Sequence, residues 1–241
     1  MKIAKMFKWY WQNAYWGLVG FYSVMAFLLI LGFCVALFSG SNEIVMNNFS
    51  PSTEITLFVM GILLFPTGVR FGLSSGVSRK TLFVALLLFL TALSAGMMLI
   101  SSIGERLGEW MGIETHQLQQ LLYPAVTGFG GWFSICFCRI SLGLSLGAMG
   151  YFIGGAYYRM NKVLKIVVSV TVPALLFLGM PLFFIAFPSI AQGVFESLIS
   201  PLFNWLLLSP YCLSLLCLGF AALFGVLSWL FVRRAPVKIA G

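Results

Sequence analysis

Long apolar runs alternate with short polar segments along the whole chain. Six of the runs reach about 20 residues, the length at which an α-helix crosses a hydrocarbon core of about 30 Å. Runs such as "LFVALLLFL" lack the alternation of apolar and polar residues that a transmembrane β-strand shows. The pattern predicts an all-α membrane protein of one transmembrane domain, with spanning helices at residues 17–39, 55–73, 81–102, 128–157, 163–187 and 208–232.

Residues 1–16 precede the first predicted span and have a polar and an apolar side when drawn as a helix. The polar stripe consists of Lys2, Lys5, Lys8 with the adjacent Trp9, and Gln12. A basic amphipathic helix with Trp and Tyr is typical of the membrane interface. We therefore predict an interfacial helix, which is either a simple anchor to anionic lipid or a docking element for a cytoplasmic protein.

Two further segments hold apolar pieces that are too short to cross a membrane. Residues 103–120 mix Glu105, Glu109 and glutamines with apolar residues, which predicts an amphipathic helix on the membrane surface. Residues 188–207 are punctuated by proline, which predicts a re-entrant hairpin before the sixth span. Glu196 lies near the centre of that hairpin, and we expect it at an exposed turn or in a wet cavity.

Composition and charge agree with this architecture and predict its sidedness. Of the residues, 61% are hydrophobic and 8% are charged, and the mean hydropathy is +1.02, whereas about a quarter of residues are charged in soluble domains. With six spans, all six glutamates fall on one side, and all but two of the fourteen Lys and Arg residues fall on the other or at its border. Because cytoplasmic loops carry the excess of cations, both termini are predicted to be cytoplasmic.

Few residues could support catalysis or metal binding. The chain has no Asp, and its single histidine, His116, is expected to be a solvated loop residue without a nucleophile or ligand cluster beside it. Cys136 and Cys138 point to different sides of a helix, so we expect no metal site there. The five cysteines lie in apolar runs and are expected to act as small hydrophobic residues. We therefore predict no enzyme, no disulfide framework and no cofactor bound by this chain.

The fourth predicted span differs from the others by its glycines and by a charge. Its small-xxx-small pairs are Gly143 with Gly147 and Gly150 with Gly154, which allow close approach of another helix. Arg139 lies about 16 Å into this span, where a cation costs at least about 2.5 kcal/mol. No predicted span contains an acid, so its partner is expected among backbone carbonyls, water, an outer-loop Glu, another subunit or a substrate anion. A structural brace and a place on a translocation path both stay open.

The turn before the third span carries two adjacent cations, Arg79 and Lys80. Ser75 or Ser78 can cap the helix that follows, but cations in a first helical turn are disfavoured by its dipole. Positive-inside orientation alone could explain them. The alternative is a rigid basic turn that binds a cytoplasmic protein.

The stretch "FGLSSGVSRKTLF" resembles the first cytoplasmic loop of ABC-2 type permeases. The predicted interfacial helix, six spans and hairpin are also similar to that family. The resemblance implies the membrane subunit of an ATP-driven exporter in a bacterial inner membrane. It also implies a second permease copy or related permease, and a separate P-loop ATPase subunit that binds ATP and Mg.

The resemblance also implies roles for individual segments. Residues 1–16 would be the connecting helix, with Lys2, Lys5, Lys8 and Trp9 among its contact residues. Residues 74–80 would be the coupling loop. The ATPase-coupling residues would be Ser75, Gly76, Val77, Ser78, Arg79, Lys80 and Thr81. The chain itself lacks the G-x-x-x-x-G-K-[ST] motif, so energy for transport would come from the partner.

Small size and spans rich in Phe and Met favour a hydrophobic or amphipathic cargo. The first candidate for the cargo is an amphipathic peptide toxin, because the chain resembles permeases of the phenol-soluble modulin exporter type in size and apolar composition. Arg139 and Glu196 are the predicted residues of the translocation path. Membrane lipid is an expected partner and nucleic acid is not. The alternatives are a non-transporting membrane immunity or assembly factor and the capture subunit of a vitamin importer.

Overall fold

The protein was analysed as a computed structural model, which describes residues 2–39, 49–110, 122–123, 128–175, 197 and 200–233. Within these ranges the chain is helical and contains no β-strand, so the predicted all-α class is confirmed for them. The helices are α1 (Lys2–Ser39), α2 (Phe49–Ser74), α3 (Arg79–Trp110), α4 (Gly128–Arg159), α5 (Lys162–Ala174), α6 (Ser200–Leu208) and α7 (Pro210–Arg233).

Five of the described helices are long and apolar enough to cross a membrane. The stretches concerned are Ile3–Cys34, Pro51–Ser74, Arg79–Leu107, Gly130–Arg159 and Pro210–Arg233. They correspond to the first four predicted spans and to the sixth, which supports a multi-pass membrane protein. The fifth predicted span is described only as far as residue 175, where α5 forms its first part. Most of the predicted hairpin at 188–207 lies outside the described residues, so the hairpin and the fifth predicted span stay predictions.

Helix α1 runs without interruption through the predicted interfacial helix and the first span. Its buried side chains are Met25 and, at a spacing of four residues, Met6, Tyr10, Ala14 and Leu18. Because residues four apart lie on the same face of a helix, these four form a single stripe, which packs on α2 and α3. Part of the predicted apolar face is therefore buried, whereas Ile3 and Trp11 from that face are exposed.

Helix α3 is longer than predicted, since it continues past residue 102 to Trp110. The apolar stretch of α3 that could cross a membrane therefore includes Glu105. The side chain of Glu105 is buried, with 2% of the residue exposed. The apolar stretch of α2 likewise includes Glu54, so the expectation that the spans contain no acid is wrong. The polar residues that directly follow residue 102 belong to the last turns of α3 and not to a separate surface segment.

Helices α2 and α4 approach each other closely through the glycines of α4. A methyl group at Gly150 would overlap the carbonyl oxygen of Phe58, and one at Gly154 would lie 2.5 Å from the carbonyl oxygen of Ile62. Real side chains do not tolerate such distances to a rigid backbone, so only glycine fits. The close approach predicted from the second small-xxx-small pair is present, and α4 becomes the central helix, packed on α2, α3 and α7.

Candidate functional site

The turn between α2 and α3 is closed by a regular hydrogen-bond pattern. Gly76 has a φ of 65°, in the left-handed region that glycine enters without steric cost. The Gly76 amide donates to the Leu73 carbonyl over 3.2 Å, and the Val77 amide donates to the Gly72 carbonyl over 3.0 Å. This pair of bonds is the Schellman arrangement, which ends a helix with a defined geometry. The predicted coupling loop is therefore a tight, ordered turn.

Ser78 caps the next helix, as one of the two serines considered from the sequence. Its Oγ accepts a hydrogen bond from the Thr81 amide over 3.2 Å and lies 2.8 Å from the Thr81 hydroxyl. Arg79, in the first turn of α3, donates through Nη1 to the backbone carbonyl of Arg233 in the last turn of α7. The C-terminal carbonyls of a helix favour a cation. The position of Arg79, unfavourable for its own helix, is therefore favourable for α7.

The first turns of α1 pack beside this turn, and an open cavity of about 460 Å³, here called the turn cavity, lies between them. It is lined by Lys5, Met6, Lys8, Trp9 and Gln12 of α1 and by Phe71, Ser75, Gly76 and Val77 of the α2–α3 turn region. The Trp9 and Phe71 rings stack with their centroids 4.4 Å apart and their planes 3° from parallel. Three predicted connecting-helix residues, Lys5, Lys8 and Trp9, thus meet three predicted coupling residues, Ser75, Gly76 and Val77, at one cavity. Ser78, Arg79, Lys80 and Thr81 do not line it, and the side chain of Lys2 lies outside the described part.

Four segments converge at the end of the bundle that contains the turn cavity, which we call the basic end. The start of α1 and the α2–α3 turn meet at the cavity, and Arg79 connects the turn to the end of α7. The Arg159 guanidinium at the end of α4 lies 5.5 Å from the centroid of the Phe231 ring. Glu54, Glu105 and Glu109, the acids of the described part, lie near the opposite ends of their helices. Apart from Arg106 and Arg139, the cations of the described part lie toward the basic end, so acids and cations are largely segregated within the described bundle.

Arg139 lies in a second polar region, between α3 and α4. Its Nη1 donates to Glu105 Oε2 over 2.6 Å and its Nη2 to Glu105 Oε1 over 2.7 Å. Nη1 also lies 3.1 Å from the Ser102 Oγ. Arg139 is 1% exposed and Glu105 2%, and the two carboxylate oxygens face the two outer nitrogens in the bidentate geometry of the strongest ion pairs. Of the possible partners that the sequence left open for Arg139, the structure shows a glutamate, Glu105.

Further hydroxyl contacts join the same helices around Arg139, Glu105 and Ser102, the three residues that we call the polar layer. The Thr53 and Ser101 hydroxyls lie 3.2 Å apart, which joins α2 to α3. The Ser94 hydroxyl donates to the Ile140 carbonyl over 2.8 Å, which joins α3 to α4. The Arg139 Nε has no hydrogen-bond partner among the described atoms. Because Glu105 occupies both outer nitrogens of the guanidinium, Arg139 has the geometry of a structural link between α3 and α4. A cargo anion could bind these nitrogens only if Glu105 moved away.

Other residues considered from the sequence have different positions. Glu196 and His116 lie outside the described residues. Cys138 is buried, and the Cys136 Sγ lies 3.9 Å from the Ser102 Oγ. No group of three or more His, Cys, Asp or Glu side chains that could hold a metal occurs within the described ranges. Glu105 is the functional candidate that the sequence reasoning missed, although its three-residue spacing from Ser102 places both on one face of α3.

Two regions therefore stand out: the turn cavity, where cations surround an aromatic floor, and the polar layer, where Arg139 is paired with Glu105. The first is open at the end of the bundle, and the second is closed inside it. No protein-family model, curated protein or solved structure matches this chain.

Proposed function

We propose that this chain is the membrane-spanning permease subunit of an ATP-driven exporter, of the kind represented by ABC-2 type permeases. The observation that supports this most directly is the turn cavity. The resemblance assigned one role to residues of α1 and a second role to the α2–α3 turn. These segments are far apart in the sequence, and a shared docking surface is what a coupling site for one partner requires.

The chemistry of the turn cavity suits a partner with acidic and apolar side chains. Lys5 and Lys8 are exposed at its rim, and exposed cations speed association with an acidic surface. Trp9, Phe71 and Val77 supply an apolar floor of the type that binds an anchoring side chain. In this proposal, the partner is a P-loop ATPase, which binds the ATP and Mg that this chain has no motif to hold.

The α2–α3 turn is built to transmit movement. Its hydrogen bonds fix it to the end of α2, Ser78 fixes it to the start of α3, and Arg79 connects it to α7. A push on this turn would therefore displace three helices together. Closure of two ATPase subunits on ATP could then rotate two paired permeases as rigid bodies, since each nucleotide state favours one arrangement.

The proposal also includes the setting and the cargo. By the positive-inside rule, the basic end faces the cytoplasm of a bacterium, and both termini lie there. The second permease is another copy of this chain or a related chain. The cargo is hydrophobic or amphipathic, with an amphipathic peptide toxin as the first candidate.

The test is purification of the tagged chain from its native cells in mild detergent, with mass identification of the retained proteins and an ATPase assay. We expect a stoichiometric P-loop ATPase, lost in the Lys5→Glu/Lys8→Glu variant and in Lys80→Glu. Arg70→Glu is the matched control, because Arg70 is an exposed cation of α2 that neither lines the turn cavity nor belongs to the predicted coupling residues, whereas Lys80 is one of them. That variant should retain the ATPase.

Two results would contradict the proposal in different ways. A chain that retains only lipid would favour the non-transporting immunity or assembly factor. An ATPase that binds the charge-reversed variants as well as the wild type would leave the transporter class intact and exclude the turn cavity as its docking site.

A further inference from the structure

A second cavity, of about 590 Å³, opens between α2, α4 and α5, and we call it the lateral groove. Its walls include Phe58, Ile62, Ile153, Tyr157, Val168 and Val172. The Tyr157 hydroxyl lies 2.9 Å from the hydroxyl of Ser169, which also lines the groove. Because these two hydroxyls satisfy each other, the groove presents an apolar surface. A ligand that fills it must itself be apolar there.

The groove has a defined depth along α5. Val168 and Val172 lie six and ten residues after the first residue of α5, Lys162, or about 9 and 15 Å along the helix axis. The start of α5 follows directly on the end of α4 at the basic end. In a membrane, the groove therefore lies at the level of the acyl chains of the leaflet next to that end.

Cations stand at the mouth of the groove. Lys165 precedes Val168 by three residues and Ser169 by four, so it lies on the same face of α5 one turn nearer the basic end. Lys162 lies one further turn in that direction and is exposed. The sequence from residue 128 to residue 175 contains no Asp or Glu. These two lysines therefore have no carboxylate from α4 or α5 to neutralise them.

We propose that the lateral groove binds an anionic phospholipid, with one acyl chain between α4 and α5 and the phosphate at Lys162 and Lys165. An apolar slot at acyl depth with two cations one and two turns above it matches a molecule that has an anion at one end and a hydrocarbon chain below. A second copy of this chain seated on the same face would bring the same lysines together, which like-charge repulsion disfavours.

The test uses the full-length chain in mild detergent and native mass spectrometry with added dioleoyl phosphatidylglycerol or dioleoyl phosphatidylcholine. We expect one tightly held phosphatidylglycerol and weaker binding of phosphatidylcholine. Lys162→Gln/Lys165→Gln should weaken phosphatidylglycerol binding roughly 30-fold, because each lysine near a membrane surface contributes about fivefold. Val172→Trp should also displace the lipid, because the indole would occupy the groove.

Controls separate this site from general attraction to charge. Lys80→Gln removes an exposed cation from the same end of the bundle and should leave binding unchanged. Equal affinity for the two lipids, or an equal effect of Lys80→Gln, would overturn the proposal. Displacement of the lipid by millimolar glycerol phosphate would show a site for free phosphate. Loss of a dimer in Val172→Trp without loss of lipid would show a subunit interface. Either result would overturn the proposal. The ATPase partner is absent from this experiment, so its outcome does not depend on the proposed transport function.

Discussion

Arg139 of α4 and Glu105 of α3 form a bidentate ion pair that is almost completely removed from solvent. Both outer guanidinium nitrogens donate to the carboxylate, over 2.6 and 2.7 Å. A buried pair of this kind adds little net stability, because desolvation of two charges offsets their attraction. Removal of one partner is different, since it leaves the other charge buried alone.

Loss of either charge of this pair should destabilise the protein strongly. We expect Glu105→Gln and Arg139→Met each to lower the free energy of unfolding by about 3–5 kcal/mol. The measurement is unfolding in detergent followed by tryptophan fluorescence. Arg106→Gln, at the adjacent exposed position, should change the stability by less than about 1 kcal/mol. The double variant Glu105→Leu/Arg139→Met should recover most of the loss, and a double variant as unstable as the sum of the singles would show that the two residues act independently.

The Tyr10 hydroxyl is buried without a hydrogen-bond partner in the described part of the chain. It fits against Gly68, where an added methyl carbon would lie 2.6 Å from it. Tyr10→Phe removes this unpaired polar group and should raise the free energy of unfolding by about 1 kcal/mol. Tyr22→Phe is the control, because the Tyr22 hydroxyl donates to the Met97 carbonyl over 3.4 Å and its removal should not stabilise. A destabilised Tyr10→Phe variant would mean that the hydroxyl has a partner.

The contact between α2 and α4 depends on glycine at particular positions. Gly150→Ala and Gly154→Ala should each lower the stability by about 1–3 kcal/mol, because the new methyl groups meet α2 backbone that cannot move aside. Gly219→Ala in α7 has open space around the added carbon. It should be neutral or stabilising, since alanine favours a helix by about 1 kcal/mol over glycine. Thermal unfolding of the three variants in one detergent gives the comparison, and equal losses at all three positions would exclude a steric cause.

The orientation of the bundle can be measured at the exposed turn. In a background without the native cysteines, Ser75→Cys should resist a membrane-impermeant maleimide in intact cells and react in inverted vesicles. This is expected because the basic end should face the cytoplasm. Leu107→Cys, exposed at the opposite end of the apolar stretch of α3, is the control and should show the reverse pattern. Labelling of position 75 from outside would show the opposite topology, in which a cytoplasmic ATPase could not reach the turn cavity.

The bond from Arg79 to the Arg233 carbonyl should hold the last turn of α7 in place. Arg79→Ala should therefore increase hydrogen exchange in that turn, by several-fold, while the exchange of α2 stays unchanged. Lys80→Ala removes the adjacent exposed cation and should leave exchange in α7 as it is. Equal exchange in the two variants would show that Arg79 does not fix α7.

Several features could be predicted because they depend on local sequence. Apolar length alone marks the helices that are long enough to cross a membrane. Ser78 as a cap, Gly76 at the helix end and the glycines of α4 also follow from the needs of the backbone at single positions. The end of α3 could not be predicted in this way. Its last turns contain Glu105 and Arg106, and their polarity resembles that of a surface segment unless the position of Arg139 is known.

The helical class, the apolar spans and the separation of charge along the chain follow from local sequence, since these depend on the affinity of each segment for water or lipid. Which residues meet depends on the packing of the helices. This packing pairs Glu105 with Arg139, directs Arg79 to the end of α7, and brings Trp9 onto Phe71. Such contacts depend on how helices rotate and shift against one another. That packing is set by the side chains of several helices together, and no single segment encodes it.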